Sequence, residues 1–104
     1  MNAHFFRVDY SSAFSGFALF VMVDGKVCGT DVGGIQYQGT YSLNGDIIEA
    51  DIVMNVPAGA HLVTGPVPTS ESIPINVNFD SKNSSQQYLE LPTGKVGISI
   101  TPLY

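Results

Sequence analysis

The chain has 104 residues, enough for one domain with a real core and too few for two, so a single domain over 1–104 is expected. Its hydrophobic content of 44%, rich in Val, Ile, Phe and Tyr, excludes a disordered chain. Four basic residues, Arg7, Lys26, Lys82 and Lys95, stand against nine acidic ones, and the formal net charge of -5 excludes a broad phosphate-binding surface and with it direct nucleic-acid binding.

Taken in order, Phe6, Val8 and Tyr10 alternate with Phe5, Arg7 and Asp9 in a first strand that ends at Ser11-Ser12. A second strand covers 16–23, and Asp24-Gly25 is a type I′ turn signal that leads into the return strand KVCG over 26–29. Asp31, Gly33 and Gly34 mark the next corner. From there Ile35, Tyr37, Gly39, Tyr41 and Leu43 share one face of a strand, and Asn44-Gly45 is expected to make a second type I′ turn. Ile48, Ala50, Ile52 and Met54 then share a face, with Glu49 and Asp51 opposite.

Beyond Met54 the period is lost in a stretch punctuated by Pro57, Gly59, Gly65, Pro66 and Pro68, where only 60–64 suits a short strand. Ile73, Ile75, Val77 and Phe79 restore the alternation, and Pro74 places that strand at an edge or its start. DSKNSSQ reads as a polar turn, Tyr88, Leu89 and Leu91 as a short strand, 92–94 as a turn, and Val96, Ile98 and Ile100 as the inner face of a last strand. About eight strands with no helical window predict an all-β, antiparallel up-and-down meander. Closure into a single barrel would remove two exposed edges, although period-two alternation does not by itself distinguish a barrel from a sandwich.

The strand over 16–23 is apolar on both faces, so both must be covered. The expectation is that Phe17, Leu19, Val21 and Val23 point inward. Ala18, Phe20 and Met22 then form an outer stripe that a second subunit covers in a homodimer, with the Pro/Gly-rich loop as the other possible cover.

Cys28 is alone and forms no intrachain disulfide, which points to a reducing compartment. The start, MNAHFFRVDY, has no signal-peptide pattern, and the longest apolar run, 17–23, falls far short of the roughly twenty residues that cross a bilayer, so a cytoplasmic protein with no membrane contact is expected.

Little in the sequence points to chemistry. His4, read as lying at the start of a strand, and His61, read as a solvated loop residue, have no Cys, His or carboxylate at ligand spacing, so no metal or other cofactor is expected. The serines lack a G-x-S-x-G elbow, and Cys28 reads as a core or boundary residue. Glu49 and Asp51 read as the outer face of a strand, and the glycines follow neither a G-x-G-x-x-G nor a P-loop pattern. No catalytic residue is expected.

The run GTDVGGIQYQGTYSLNGDIIEADI, preceded by VDGKVCG, resembles the GrlR-like family, small bacterial proteins named for a negative regulator of type III secretion genes. The resembling features are Gly29-Thr30-Asp31, Tyr37-Gln38-Gly39 and the turn Asn44-Gly45-Asp46 leading into Ile47-Ile48, and they lie in the first half of the chain. The resemblance implies a lipocalin-like, or calycin, barrel that dimerises and represses transcription by holding an activator off DNA. It also implies a partner surface at the turn between the central strands, where the family's named regulator carries a run of acidic residues; here the matching positions are Leu43, Asn44, Gly45 and Asp46.

Two functions follow as expectations. The first is a regulatory interaction protein that meets a basic partner, such as a transcription activator, through Asn44, Asp46, Glu49 and Asp51. The second is a carrier of a small apolar ligand, with Phe6, Tyr37, Tyr41, Ile52, Phe79 and Ile100 filling or lining the barrel interior. A packed interior favours the first, and a continuous cavity with a few polar groups favours the second.

Overall fold

The computed structural model describes residues 3–12, 14–62, 65–66, 70–92 and 94–103. Eight strands form one antiparallel sheet: β1 (Ala3–Ser11), β2 (Ser15–Val23), β3 (Lys26–Asp31), β4 (Gln36–Asn44), β5 (Ile47–Val56), β8 (Glu71–Asp80), β9 (Ser85–Leu91) and β10 (Gly94–Pro102). Two short strands, β6 (His61–Leu62) and β7 (Gly65–Pro66), pair with each other in the connection between β5 and β8.

The order in the sheet is β8-β5-β4-β3-β2-β1-β10-β9, so each main strand lies beside its neighbour in the chain and β10 returns to pair with β1. That return curls the meander into a nearly closed up-and-down barrel. Its seam lies between β8 and β9, where the Gln87 side chain donates to the Asn78 carbonyl at 3.1 Å. Pro74 therefore stands in a strand with one free edge, as its missing N–H favours.

The strand register decides which residues face inward. Phe6, Phe20, Gly29, Tyr37, Met54 and Ile73 are successive cross-strand partners from β1 to β8, and cross-strand partners share a face. This row settles the parity of β2. Ala18, Phe20 and Met22 are 1%, 8% and 2% exposed inside the barrel, whereas Leu19 is 47% exposed outside, the reverse of the predicted orientation. A strand apolar on both faces carries no parity signal, so the tight Asp24-Gly25 turn and the pairing with β1 decide it.

The first hairpin turn matches its expectation, with Asp24 and Gly25 at φ of 51° and 80°. The central one is displaced by a residue. Asn44 pairs with Ile47, the two-residue loop is Gly45-Asp46, and only Gly45 has positive φ, at 64°, which is the φ signature of a type II′ turn. A Cβ at Gly45 would meet nothing within 4 Å, so Gly45→Val tests backbone strain alone. It should lower stability by about 1–2 kcal/mol, read as a shift of the urea midpoint with unchanged slope.

Other expectations shift in similar ways. β9 begins at Ser85, inside the stretch predicted as a turn, and β3 extends to Asp31. Only His61 and Leu62 of the short strand predicted over 60–64 lie in β6, and 63–64 fall outside the described residues. Among the described residues no helix is long and apolar enough to cross a membrane.

Candidate functional site

The two ends of the barrel differ. At the end holding the Asp24-Gly25 and Gly45-Asp46 turns, the interior is closed by packed rings: Phe6 meets Phe79 edge-on at 5.0 Å between centroids, and His4 stacks on Phe6 and meets Tyr41 edge-on. His4 thus lies within β1, partly buried among aromatic rings.

Above this floor a cavity of about 410 Å³ runs toward the opposite end and takes lining residues from all eight main strands. Its walls are mostly aliphatic, among them Val8, Ala18, Ile52, Leu89 and Ile98, and exposed Phe14 and Val32 stand at its rim. Of the six residues expected in the interior, Phe6, Tyr37, Ile52, Phe79 and Ile100 line the cavity, while Tyr41 packs against the core below it. Ala18, Phe20 and Met22, expected outside, line it too.

The polar side chains in the lining are Tyr10, Tyr37, Asp31 and Ser15. Asp31 ends β3 on the inner face, two residues beyond Gly29 and four beyond buried Val27. Its Oδ1 accepts from the backbone N–H of Gly33 at 2.8 Å and of Ile35 at 3.0 Å, which folds the corner between β3 and β4. Its Oδ2 accepts from the hydroxyls of Tyr10 and Tyr37, each at 3.1 Å.

Tyr10 reaches Asp31 across the whole width of β2, and glycine makes this possible. Gly16 lies opposite Tyr10, and a Cβ there would sit 2.8 Å from the tyrosine ring. In the same way a Cβ at Gly29 would lie 2.6 Å from the Phe20 ring, which crosses Gly29 to meet Tyr37 at 5.0 Å. Burial, and then the charge of Asp31, push both tyrosines well above the ordinary range, so both hydroxyls keep their protons and act as donors to the carboxylate.

The alternation in β1 groups Tyr10 with Phe6 and Val8, but nothing in the sequence links it to Asp31, twenty-one residues away. Asp31 was legible only as a corner, because the predicted strand stopped at Gly29. Carrying the alternation from Val27 two steps further would have placed it inside.

The expected partner surface lies outside. Glu49 and Asp51 are exposed on the outer face of β5; Ser42 donates to Glu49, and Asn76 donates to Asp51 from β8. Asp46 sits on the turn 3.2 Å from Lys82, and Asn44 is exposed beside it. Cys28, expected at the core or its boundary, is exposed on the outer face of β3. Val27 takes the inward position instead, because Met22 of β2 is its cross-strand partner. Among the described residues no group of three His, Cys, Asp or Glu could hold a metal ion, and the side chain of His61 lies outside them.

Fold and cavity together define a lipocalin-like up-and-down barrel with an apolar interior and one polar end. Comparison with family models, with curated proteins and with solved structures returns no match.

Proposed function

We propose that this protein is a cytoplasmic binding protein, not an enzyme, that holds one small apolar ligand inside its barrel without a cofactor. The observation that carries the reading is the continuous cavity of about 410 Å³, within the range of about 300–1,000 Å³ typical of small-molecule sites, with its polar side chains gathered at one end. Exposed Cys28 suits a reducing compartment, where a lone thiol persists. Naphthalene is a suitable first probe, being neutral and apolar. At one hundred times its dissociation constant it should stabilise the fold by about 2.7 kcal/mol, on the order of 10 °C in melting temperature. Ala18→Leu, which projects into the cavity, should remove most of that increment, and an unshifted melting temperature in the parent protein would refute the proposal.

The resemblance to the GrlR-like family supplies a second reading, regulation through a basic protein partner such as a transcription activator. It is favoured by one observation: Glu49, Asp51 and Asp46 place three accessible carboxylates on β5 and the turn that precedes it. Charge reversal by Glu49→Lys with Asp51→Lys should abolish such binding while leaving the naphthalene response intact. On β2, the self-association that the resemblance also implies has the outer residues Leu19 and Val21 to use in place of Ala18, Phe20 and Met22.

A further inference from the structure

Resting on the reading of the interior as a ligand site, we infer that its polar end selects apolar ligands bearing a hydrogen-bond donor, a hydroxyl or an ammonium group, and rejects apolar carboxylates. The argument is a count of donors and acceptors. A carboxylate offers about four acceptor positions, and Asp31 has four donors on it: Gly33 N, Ile35 N and the hydroxyls of Tyr10 and Tyr37. Each tyrosine has one proton to give, and the carboxylate takes it. What remains at this end is acceptor capacity, the lone pairs of the two tyrosine oxygens. Ser15, the remaining polar side chain of the lining, is exposed, so its hydroxyl has water to bond and a ligand gains little by replacing that water.

The cations are elsewhere. Arg7 pairs with Asp9 at 3.0 Å and lies over the Phe17 ring on the outer face. Lys26 is exposed on β3, Lys82 pairs with Asp46 at the far end, and Lys95 lies over the Tyr88 ring. None of the four lines the cavity. A carboxylate head arriving at this end would meet the charge of Asp31 with no cation in the lining and no side-chain donor there beyond the water-exposed Ser15 hydroxyl to hold it. An alcohol would give its proton to a tyrosine oxygen, and an ammonium would gain the attraction of Asp31 as well.

Four ligands of one chain length separate these terms: n-decanol, n-decylammonium, methyl decanoate and decanoate. They are titrated calorimetrically at about pH 8, where the carboxyl of the ligand is ionised and its amine protonated. Alcohol and ammonium should bind roughly tenfold or more tighter than decanoate, with the ester between them. Decanoate binding as tightly as decanol overturns the selectivity, and so does binding of the ammonium alone, which would be attraction to an acidic surface. Binding of all four alike defeats the selectivity and leaves the ligand site standing, whereas binding of none defeats both. Tyr10→Phe, which keeps the ring over Gly16, trades one tyrosine oxygen for a freed acceptor position on Asp31 and adds no donor, so decanol should stay ahead of decanoate; a variant that binds decanoate as tightly as decanol would contradict the assignment.

Discussion

Phe20→Asp should abolish the native fold, while Leu19→Asp, one position away on the same strand, should leave it standing. Phe20 is inside the barrel, where its ring packs over Gly29 against Tyr37, and a carboxylate there loses that packing and buries an unpaired charge. Truncating a buried Phe costs about 3–5 kcal/mol, and the buried charge adds several more. A domain of this size has a total of about 5–15 kcal/mol to lose. Leu19 faces outward opposite Arg7 and Thr30, and a charge there should change stability by about 1 kcal/mol or less. Circular dichroism and size-exclusion chromatography of the two variants decide the matter, and a folded Phe20→Asp beside an unfolded Leu19→Asp would reverse the parity of β2.

Asp31→Ala should cost about 3–5 kcal/mol, far more than a surface aspartate. The change strips the acceptor from the Tyr37 hydroxyl and from the Ile35 N–H, both on buried residues, at about 1–3 kcal/mol each, and opens the corner between β3 and β4. Tyr10 loses less, since its hydroxyl also lies 3.4 Å from the Phe17 carbonyl.

The same three residues make the fold sensitive to alkali. Folding raises the pKa of both tyrosines, by burial first and the Asp31 charge second. Below about pH 10 folded and unfolded chains both hold these protons, so stability is level; above it the unfolded chain releases them first and stability falls as pH rises. Tyr37 contributes a slope of about 1.4 kcal/mol per pH unit there, and Tyr10, nearer to water, a smaller screened share. Tyr37→Phe should flatten that limb, and in Asp31→Ala tyrosinate absorbance should appear at a lower pH. Stability that stays level through the tyrosine range would contradict the buried, carboxylate-bound hydroxyls.

The barrel was legible because period-two alternation survives wherever one face meets water. Tyr37 to Leu43 and Ile48 to Met54 show it plainly, and the strand count with them predicted a meander that could close. The orientation of β2 was illegible, because a residue sequence apolar on both faces leaves parity to the register, a long-range property of pairing with β1 and β3. The central turn slipped by one residue because Asn44-Gly45 and Gly45-Asp46 are both acceptable turn centres, and the pairing of Asn44 with Ile47 selects between them. The polar end escaped notice for a similar reason: Tyr10, Asp31 and Tyr37 come from three strands, and the two glycines that let the rings of Tyr10 and Phe20 cross their neighbouring strands look like ordinary turn or corner residues.

The most direct measurement is a methyl-resolved NMR titration with n-decanol. The reading of the interior as a ligand site predicts saturable shifts at Ala18, Ile52 and Ile98 in the cavity wall, with little change at Leu19 and Val53 on the outer face. Shifts confined to the outer methyl groups, or none at saturation, would contradict it.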